Sequence, residues 1–185
     1  MFRWVRRALI VLALVLLVGG GILALTSRPD LENARDDVHT RWRALRPALD
    51  QRYALLAQAN SATKQAGGPE RELVNDIERA LASWRVDKTK SVDTQVDDAN
   101  ELEALGRRLT NTVDNSARLQ AISPVVTAAG RFDDAQPPVT ATAFNRAVRD
   151  YEDARGGSLR RPIASLLGFP SISSLDVQRS TPTSA

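Results

Sequence analysis

The sequence of 185 residues has no cysteine, one histidine and nine phenylalanine, tryptophan and tyrosine residues in all. The absence of cysteine excludes disulfide bonds, thiol nucleophiles and cysteine-ligated metal sites. The single imidazole, His39, has no second histidine with which to share a metal, so a local structural role is favoured for it. The sequence also lacks the glycine-rich phosphate-binding motifs and the G-x-S-x-G hydrolase motif. It therefore predicts no enzyme activity, no cofactor and no metal.

The charges are unevenly placed along the chain. Three of the 25 basic residues lie within the first seven positions, and the remaining 22 balance the 22 acidic residues, none of which precedes Asp30. A body without net charge produces no field that would concentrate phosphates at its surface. We therefore expect no nucleic-acid partner, although the whole chain carries a formal charge of +3.

A long apolar run lies near the N-terminus. Residues 8–27 are uncharged and are framed by Arg7 and Arg28; as a helix they would span about 30 Å, the thickness of a bilayer core. Residues 1–27 are therefore predicted to form a signal-anchor, a transmembrane helix that binds membrane lipid. The residues expected to place it in the bilayer are Arg3, Trp4, Arg6, Arg7, Leu12 and Leu16.

A cleaved signal peptide is the alternative, and it would release the body as a secreted helical binding module. Residues 22–27 contain no A-x-A cleavage site, so a retained anchor is favoured. The N-terminal arginines favour a cytoplasmic N-terminus, whereas Arg28, Arg35 and Arg41 oppose it from the other side. Because long domains translocate largely regardless of charge, we expect a single-pass membrane protein with most of the chain outside the cytoplasm.

The body, residues 28–170, has the periodicity of helices. Its apolar residues recur at steps of three and four, and no segment alternates with period two for long enough to indicate a strand. The predicted fold class is all-α, with an elongated antiparallel helical bundle after the anchor. The first stripe consists of Leu31, Ala34, Val38, Trp42, Leu45, Leu49, Tyr53 and Leu56.

Prolines and glycines predict where these helices end. Pro47 falls inside the first stripe and leaves two alternatives, a kink or a break. Turns are predicted at residues 67–69 and 130–138, and the last helix is expected to stop at residues 156–157. Residues 171–185 are rich in serine and threonine, and we expect this tail to be disordered because it has little apolar surface to bury.

Residues 144–152 read Phe-Asn-Arg-Ala-Val-Arg-Asp-Tyr-Glu, and a Gly-Phe pair follows at residues 168–169. This stretch is similar to the pattern Y-N-x-x-V-x-x-Y-N of the LemA family of bacterial membrane proteins, although Phe144 replaces the first tyrosine and Glu152 the second asparagine. Together with the segments around Trp42 and Tyr53, the resemblance covers most of residues 30–176. The resemblance implies a long antiparallel bundle anchored by its first helix, no established enzymatic activity, and an association of some members with envelope stress or membrane protein quality control. The residues it singles out are Trp42, Tyr53, Phe144, Asn145, Val148, Tyr151, Gly168 and Phe169.

These observations favour an interaction or scaffold protein of the bacterial cell envelope, whose partners are other envelope proteins. An envelope enzyme acting through carboxylates such as Glu101 or Asp150 is the alternative from another class. A third hypothesis is an oligomeric scaffold in which the first stripe pairs between chains. The sequence leaves the partner and the oligomeric state open.

Overall fold

A computed structural model of the chain describes residues 2–135, 139–156 and 161–176. Within these ranges the regular elements are all helices, which confirms the predicted all-α class. The α-helices are α1 (Phe2–Ala66), α2 (Arg71–Val86), α3 (Val92–Asp114), α4 (Ala117–Gln120), α5 (Ser123–Asp134), α6 (Val139–Arg155) and α7 (Arg161–Leu166), with a 3₁₀ turn at Asp87–Thr89 between α2 and α3.

Helix α1 is continuous over 65 residues, which is about 98 Å at the rise of an α-helix. It contains both Pro29 and Pro47, so Pro47 does not break it, and no new helix starts at Pro29. Pro47 lies on the exposed face, where the Arg43 carbonyl, which loses its intrahelical donor, can be hydrated.

Residues 2–27 of the predicted anchor belong to α1, but their side chains are outside what the structure describes, and so is the membrane placement expected for six of them. Among the described residues, no helix combines the length and the apolar character needed to span a membrane.

The turn predicted at residues 67–69 is confirmed. Gly67 and Gly68 have φ angles of 64° and 118°, a region that glycine adopts without steric cost. Helix α2 then runs antiparallel to α1: the Asn60 side chain donates to the Val74 carbonyl at 3.1 Å, and further along α2 the indole of Trp84 donates to Asp50 at 2.8 Å.

Helix α3 returns parallel to α1, and α5 and α6 follow one another antiparallel to it. The bundle therefore has four rods, α1, α2, α3 and the α5–α6 pair. The sequence predicts a connection beginning at Gly130, which is wrong, because α5 continues to Asp134. This extra turn buries Phe132 against Gly106 of α3, where a Cβ would overlap the Phe132 ring.

The interior is filled mainly by aliphatic side chains, and two other features lie among them. One is an aromatic cluster near the middle of α1, defined by Trp42, Tyr53, Trp84 and Phe144. The other is a buried ion pair between Arg52 and Glu103, described in the Discussion.

The chain does not leave the bundle after α7. Residues Phe169–Asp176, here called the strap, lie along α6 without regular secondary structure, and Ile172 and Leu175 are buried. The prediction of a disordered tail is therefore wrong for residues 171–176, because apolar residues three apart are enough to pack an extended segment. Residues 177–185 lie outside the described residues.

Candidate functional site

The strap lies in a surface groove between α3 and α6 that binds its main chain. It runs antiparallel to α6: the Phe169 carbonyl lies near Arg155, and Leu175 lies near Asn145. We call this surface the strap groove and define it by the polar side chains that contact the strap. They are Asn100 and Arg107 on α3 and Asn145, Tyr151, Glu152 and Arg155 on α6.

Two asparagines hold the C-terminal half of the strap. Asn145 accepts from the Leu175 amide at 2.8 Å and donates to the Leu175 carbonyl at 2.9 Å. Asn100 accepts from the Asp176 amide at 2.7 Å and donates to the Ser174 carbonyl at 3.0 Å. Each carboxamide thus offers one donor and one acceptor to the peptide backbone, as a neighbouring β-strand would.

Three side chains of α6 hold the N-terminal half. The Tyr151 hydroxyl donates to the Pro170 carbonyl at 2.7 Å, and the Arg155 Nε donates to the Phe169 carbonyl at 3.2 Å. Glu152 accepts from the Ile172 amide at 3.0 Å. Arg155 also pairs with Glu152, which orients this carboxylate toward the strap amide. Burial raises the pKa of the Tyr151 phenol, so Tyr151 is a neutral donor at physiological pH.

Arginine side chains contact the C-terminal end of the strap and the turn that leads into its N-terminal end. Arg107 donates to the Asp176 carbonyl at 3.2 Å and pairs with the Asp176 carboxylate at the same distance. At the other end, Arg35 of α1 donates to the Gly168 carbonyl at 3.4 Å and lies 5.9 Å from the centre of the Phe169 ring. Both contacts are exposed, so they place the ends of the segment more than they stabilise it.

Three apolar side chains anchor the strap in the bundle. Phe169, Ile172 and Leu175 are 4%, 5% and 2% exposed, whereas the residues between them are exposed. A spacing of three is the repeat of a polyproline-II helix, in which every third side chain lies on the same side. The strap groove therefore binds an extended peptide by its main chain and by one apolar stripe.

The residues singled out by the family resemblance fall into two places. Asn145 and Tyr151 bond the strap, Phe169 belongs to it, and Gly168, with a φ of 84°, turns the chain into it. The other four lie in the bundle core and have no part in the strap groove. They are Trp42, Tyr53, Phe144 and Val148.

Reasoning from the sequence missed Asn100, Arg107 and Arg155, and it noted Glu152 only as a departure from a family pattern. Nothing in the local sequence marks them, because their partners are distant along the chain: Asn100 bonds a residue 76 positions away. The available signal was the apolar triplet at residues 169, 172 and 175, directly after the Gly168 turn.

A second feature is a cleft of about 290 Å³ beside the aromatic cluster, lined by His39, Arg43, Arg46 and Gln95 among others. Arg46 is already engaged there, since it lies 4.1 Å from the Trp84 ring centre and donates to the Trp84 carbonyl at 3.1 Å. Burial, followed by the nearby Arg35, lowers the pKa of His39. The imidazole is therefore neutral at neutral pH, and the cleft gains no charge from it.

Apart from Glu152 in the strap groove, the carboxylates do not converge on either feature. Burial and the hydrogen bond that protonated Asp98 donates to the Asp87 carboxylate raise the pKa of Asp98 to about 6, whereas the hydrogen bond from Lys90 lowers the pKa of Asp87. Neither acid lines the cleft at His39. Glu101 and Asp150 are exposed, and within the described ranges no three histidine, aspartate or glutamate side chains are grouped to hold a metal.

No family model, curated protein or solved structure matches this chain.

Proposed function

We propose that the chain is a LemA-like, membrane-anchored interaction protein of the bacterial cell envelope. Its bundle holds other envelope proteins close to the membrane and serves membrane protein quality control or the response to envelope stress. The observation that carries the proposal is the strap groove, because a surface that binds a peptide main chain is equipped for binding polypeptide.

The anchor in this proposal is the uncharged run at residues 8–27. It lies within α1, the same helix that forms the first rod of the bundle. The four rods are therefore joined directly to the proposed membrane segment. The N-terminal arginines favour a cytoplasmic N-terminus, so the proposal includes an outer position for most of the chain. Confinement to one membrane raises the effective concentration of any partner in that membrane, so modest affinities are sufficient.

The interior of the bundle supports a binding role over a catalytic one. Its aromatic residues contact one another, with ring centres 5.0 Å apart for Tyr53 and Trp84 and 5.2 Å apart for Trp42 and Phe144. The buried carboxylate Glu103 is paired with Arg52. The groups that meet a polypeptide lie on the outside, in the strap groove.

Crosslinking in intact cells tests the proposal. Cells that express the chain with a C-terminal tag are treated with an amine- or carboxyl-reactive crosslinker, and adducts are purified from the washed membrane fraction. We expect the chain in that fraction, together with adducts that recur between preparations.

The matched control carries Leu12→Arg and Leu16→Arg. Each arginine costs about 2.5–3.5 kcal/mol at the centre of a membrane helix, so this chain should leave the membrane and lose its adducts. Two equivalent arginines at the exposed positions Ala54 and Ala104 should change neither result. Recovery of the wild-type chain from the aqueous fraction without detergent, or the absence of recurring adducts, would contradict the proposal.

A further inference from the structure

We propose that the strap groove is the binding site for an extended segment of a partner protein, and that the strap is this chain's own occupant of it. The segment has apolar residues at every third position and an acidic residue after the last of them. This inference rests on the proposed function, and it names the site and the class of partner.

The first argument is that the groove contacts main-chain atoms. Asn100, Asn145, Tyr151 and Glu152 bond amides and carbonyls at 2.7–3.0 Å. Every peptide carries these groups, so the bonds are available to a segment of another protein without any requirement on its side chains.

The second argument is that the strap groove still selects among peptides by their side chains. Three positions of the bound segment are buried and must be apolar, and Arg107 favours a carboxylate at the position after the third. The positions between them, such as Ser173 and Ser174, are exposed and unrestricted. A partner is thus recognised by the pattern apolar-x-x-apolar-x-x-apolar-acid.

The third argument is that the strap is bound by side chains of the helices and not by backbone hydrogen bonds of its own. Among the described residues, no backbone hydrogen bond joins one strap residue to another, and the Phe169 amide bonds α7 instead. The main chain of the strap is bonded by side chains of α3 and α6. A partner segment must therefore displace the strap, whose local concentration is high because it belongs to the same chain. Only a segment with sufficient affinity or concentration can do so.

The experiment uses the full chain in nanodiscs and a fluorescent nonapeptide with the sequence of residues 168–176. The variant Leu175→Ser removes one buried anchor of the strap and should free the groove. We expect it to bind the peptide about tenfold more tightly than the wild-type chain, because the internal competitor is weakened. Ser173→Ala, an exposed change within the same strap, should bind the peptide as the wild type does.

Two further comparisons test the groove itself. Adding Asn145→Ala to the Leu175→Ser chain should weaken peptide binding about tenfold, since two main-chain bonds are lost. An isomeric peptide in which the second and third apolar residues each exchange places with the preceding serine should bind at least about tenfold more weakly than the native peptide. Equal binding of the two peptides, or no binding to a Leu175→Ser chain with wild-type circular dichroism, would overturn the proposal.

If Leu175→Ser unfolds, Asp176→Ala is used instead, because it removes only the exposed contact with Arg107. The expected gain in affinity is then about two- to threefold, and an unchanged affinity overturns the proposal. A doubled protein mass in detergent together with no capture of the peptide would identify the occupant as a second copy of the chain, which also overturns it.

Failure of this inference can be distinguished from failure of the proposed function. Adducts in the cellular crosslinking experiment that persist unchanged in the Asn145→Ala chain would leave the interaction function standing and remove the groove as its site. Selective peptide binding without any cellular adducts would support the groove as a peptide-binding site and contradict the proposed interaction function.

Discussion

Replacing Glu103 with glutamine tests whether the ion pair inside the bundle is held by charge or only by shape. Arg52 donates from Nε and from its second terminal nitrogen to the two carboxylate oxygens of Glu103, at 2.8 and 3.0 Å. Glu103 is 1% exposed and Arg52 is 8% exposed. Arg52 also donates to the Phe132 and Ala135 carbonyls and lies 4.2 Å from the Phe132 ring centre. The guanidinium therefore connects α1, α3 and α5.

Glutamine has nearly the same shape as glutamate but turns one acceptor into a donor, which then faces a guanidinium nitrogen. One of the two bonds is lost, and the buried positive charge loses its counterion. Breaking a buried pair by removing one partner costs about 3–5 kcal/mol. Because one bond and both carbonyl contacts of Arg52 remain, we expect Glu103→Gln to lower the free energy of unfolding by about 3 kcal/mol.

The measurement is urea unfolding of the full chain in detergent, followed by tryptophan fluorescence and extrapolated linearly to water. The matched control is Glu101→Gln, an exposed change on the same helix, whose effect should stay within about 0.5 kcal/mol. The double variant Arg52→Met with Glu103→Leu removes both charges and fills the space, so it should regain most of the loss and lie within about 1 kcal/mol of the wild type.

A Glu103→Gln chain that is as stable as the Glu101→Gln control would refute this reasoning, since it would show that the pair contributes only its packing. A double variant less stable than Glu103→Gln would refute it differently. In that case the two carbonyls left without the arginine would outweigh the uncompensated charge.

Two further predictions concern the acid at α3 and the contact between α3 and α5. Asp98, whose pKa of about 6 lies above its usual 3.8, binds its proton more tightly when folded, so its contribution to stability falls as the pH rises between those values. In thermal unfolding, Asp98→Asn should therefore stabilise the fold by about 1 kcal/mol at pH 7.5 and by nothing at about pH 4. A gain that does not depend on pH, or an equal gain for the exposed control Asp97→Asn, would contradict this. Gly106→Ala would drive a Cβ into the Phe132 ring and should cost about 1–3 kcal/mol. Its control, Gly130→Ala, meets nothing within 4 Å and should gain up to about 1 kcal/mol of helix propensity. A Gly106→Ala chain as stable as the Gly130→Ala chain would disprove the close contact.

The helices of the bundle could be predicted because their apolar residues follow one period over many turns. Leu31, Val38, Trp42, Leu45 and Leu49 were expected on one face of a helix, and all of them are buried. A long stripe of this kind is specified locally, since each residue needs only to lie on the same side as the others.

The strap could not be predicted in the same way. With one apolar residue in three it has neither the period of a helix nor that of a strand, and no backbone hydrogen bond joins two strap residues. It is ordered by Asn100 and Asn145, which lie 76 and 30 positions from their partners. Bonds of that range depend on the packing of the rods, which the pattern of a single segment does not contain.

The continuity of α1 fixes how the strap groove is oriented relative to the first half of that helix. Because α1 has no break, the orientation of its first half about the helix axis determines the orientation of the whole bundle. One residue added between Ser27 and Leu31 would turn the bundle by about 100° and raise it by about 1.5 Å. Seven added residues would restore nearly the original heading about 10 Å farther along the axis. The side on which residues 169–176 lie, relative to the first half of α1, is thus set by the number of residues in the helix.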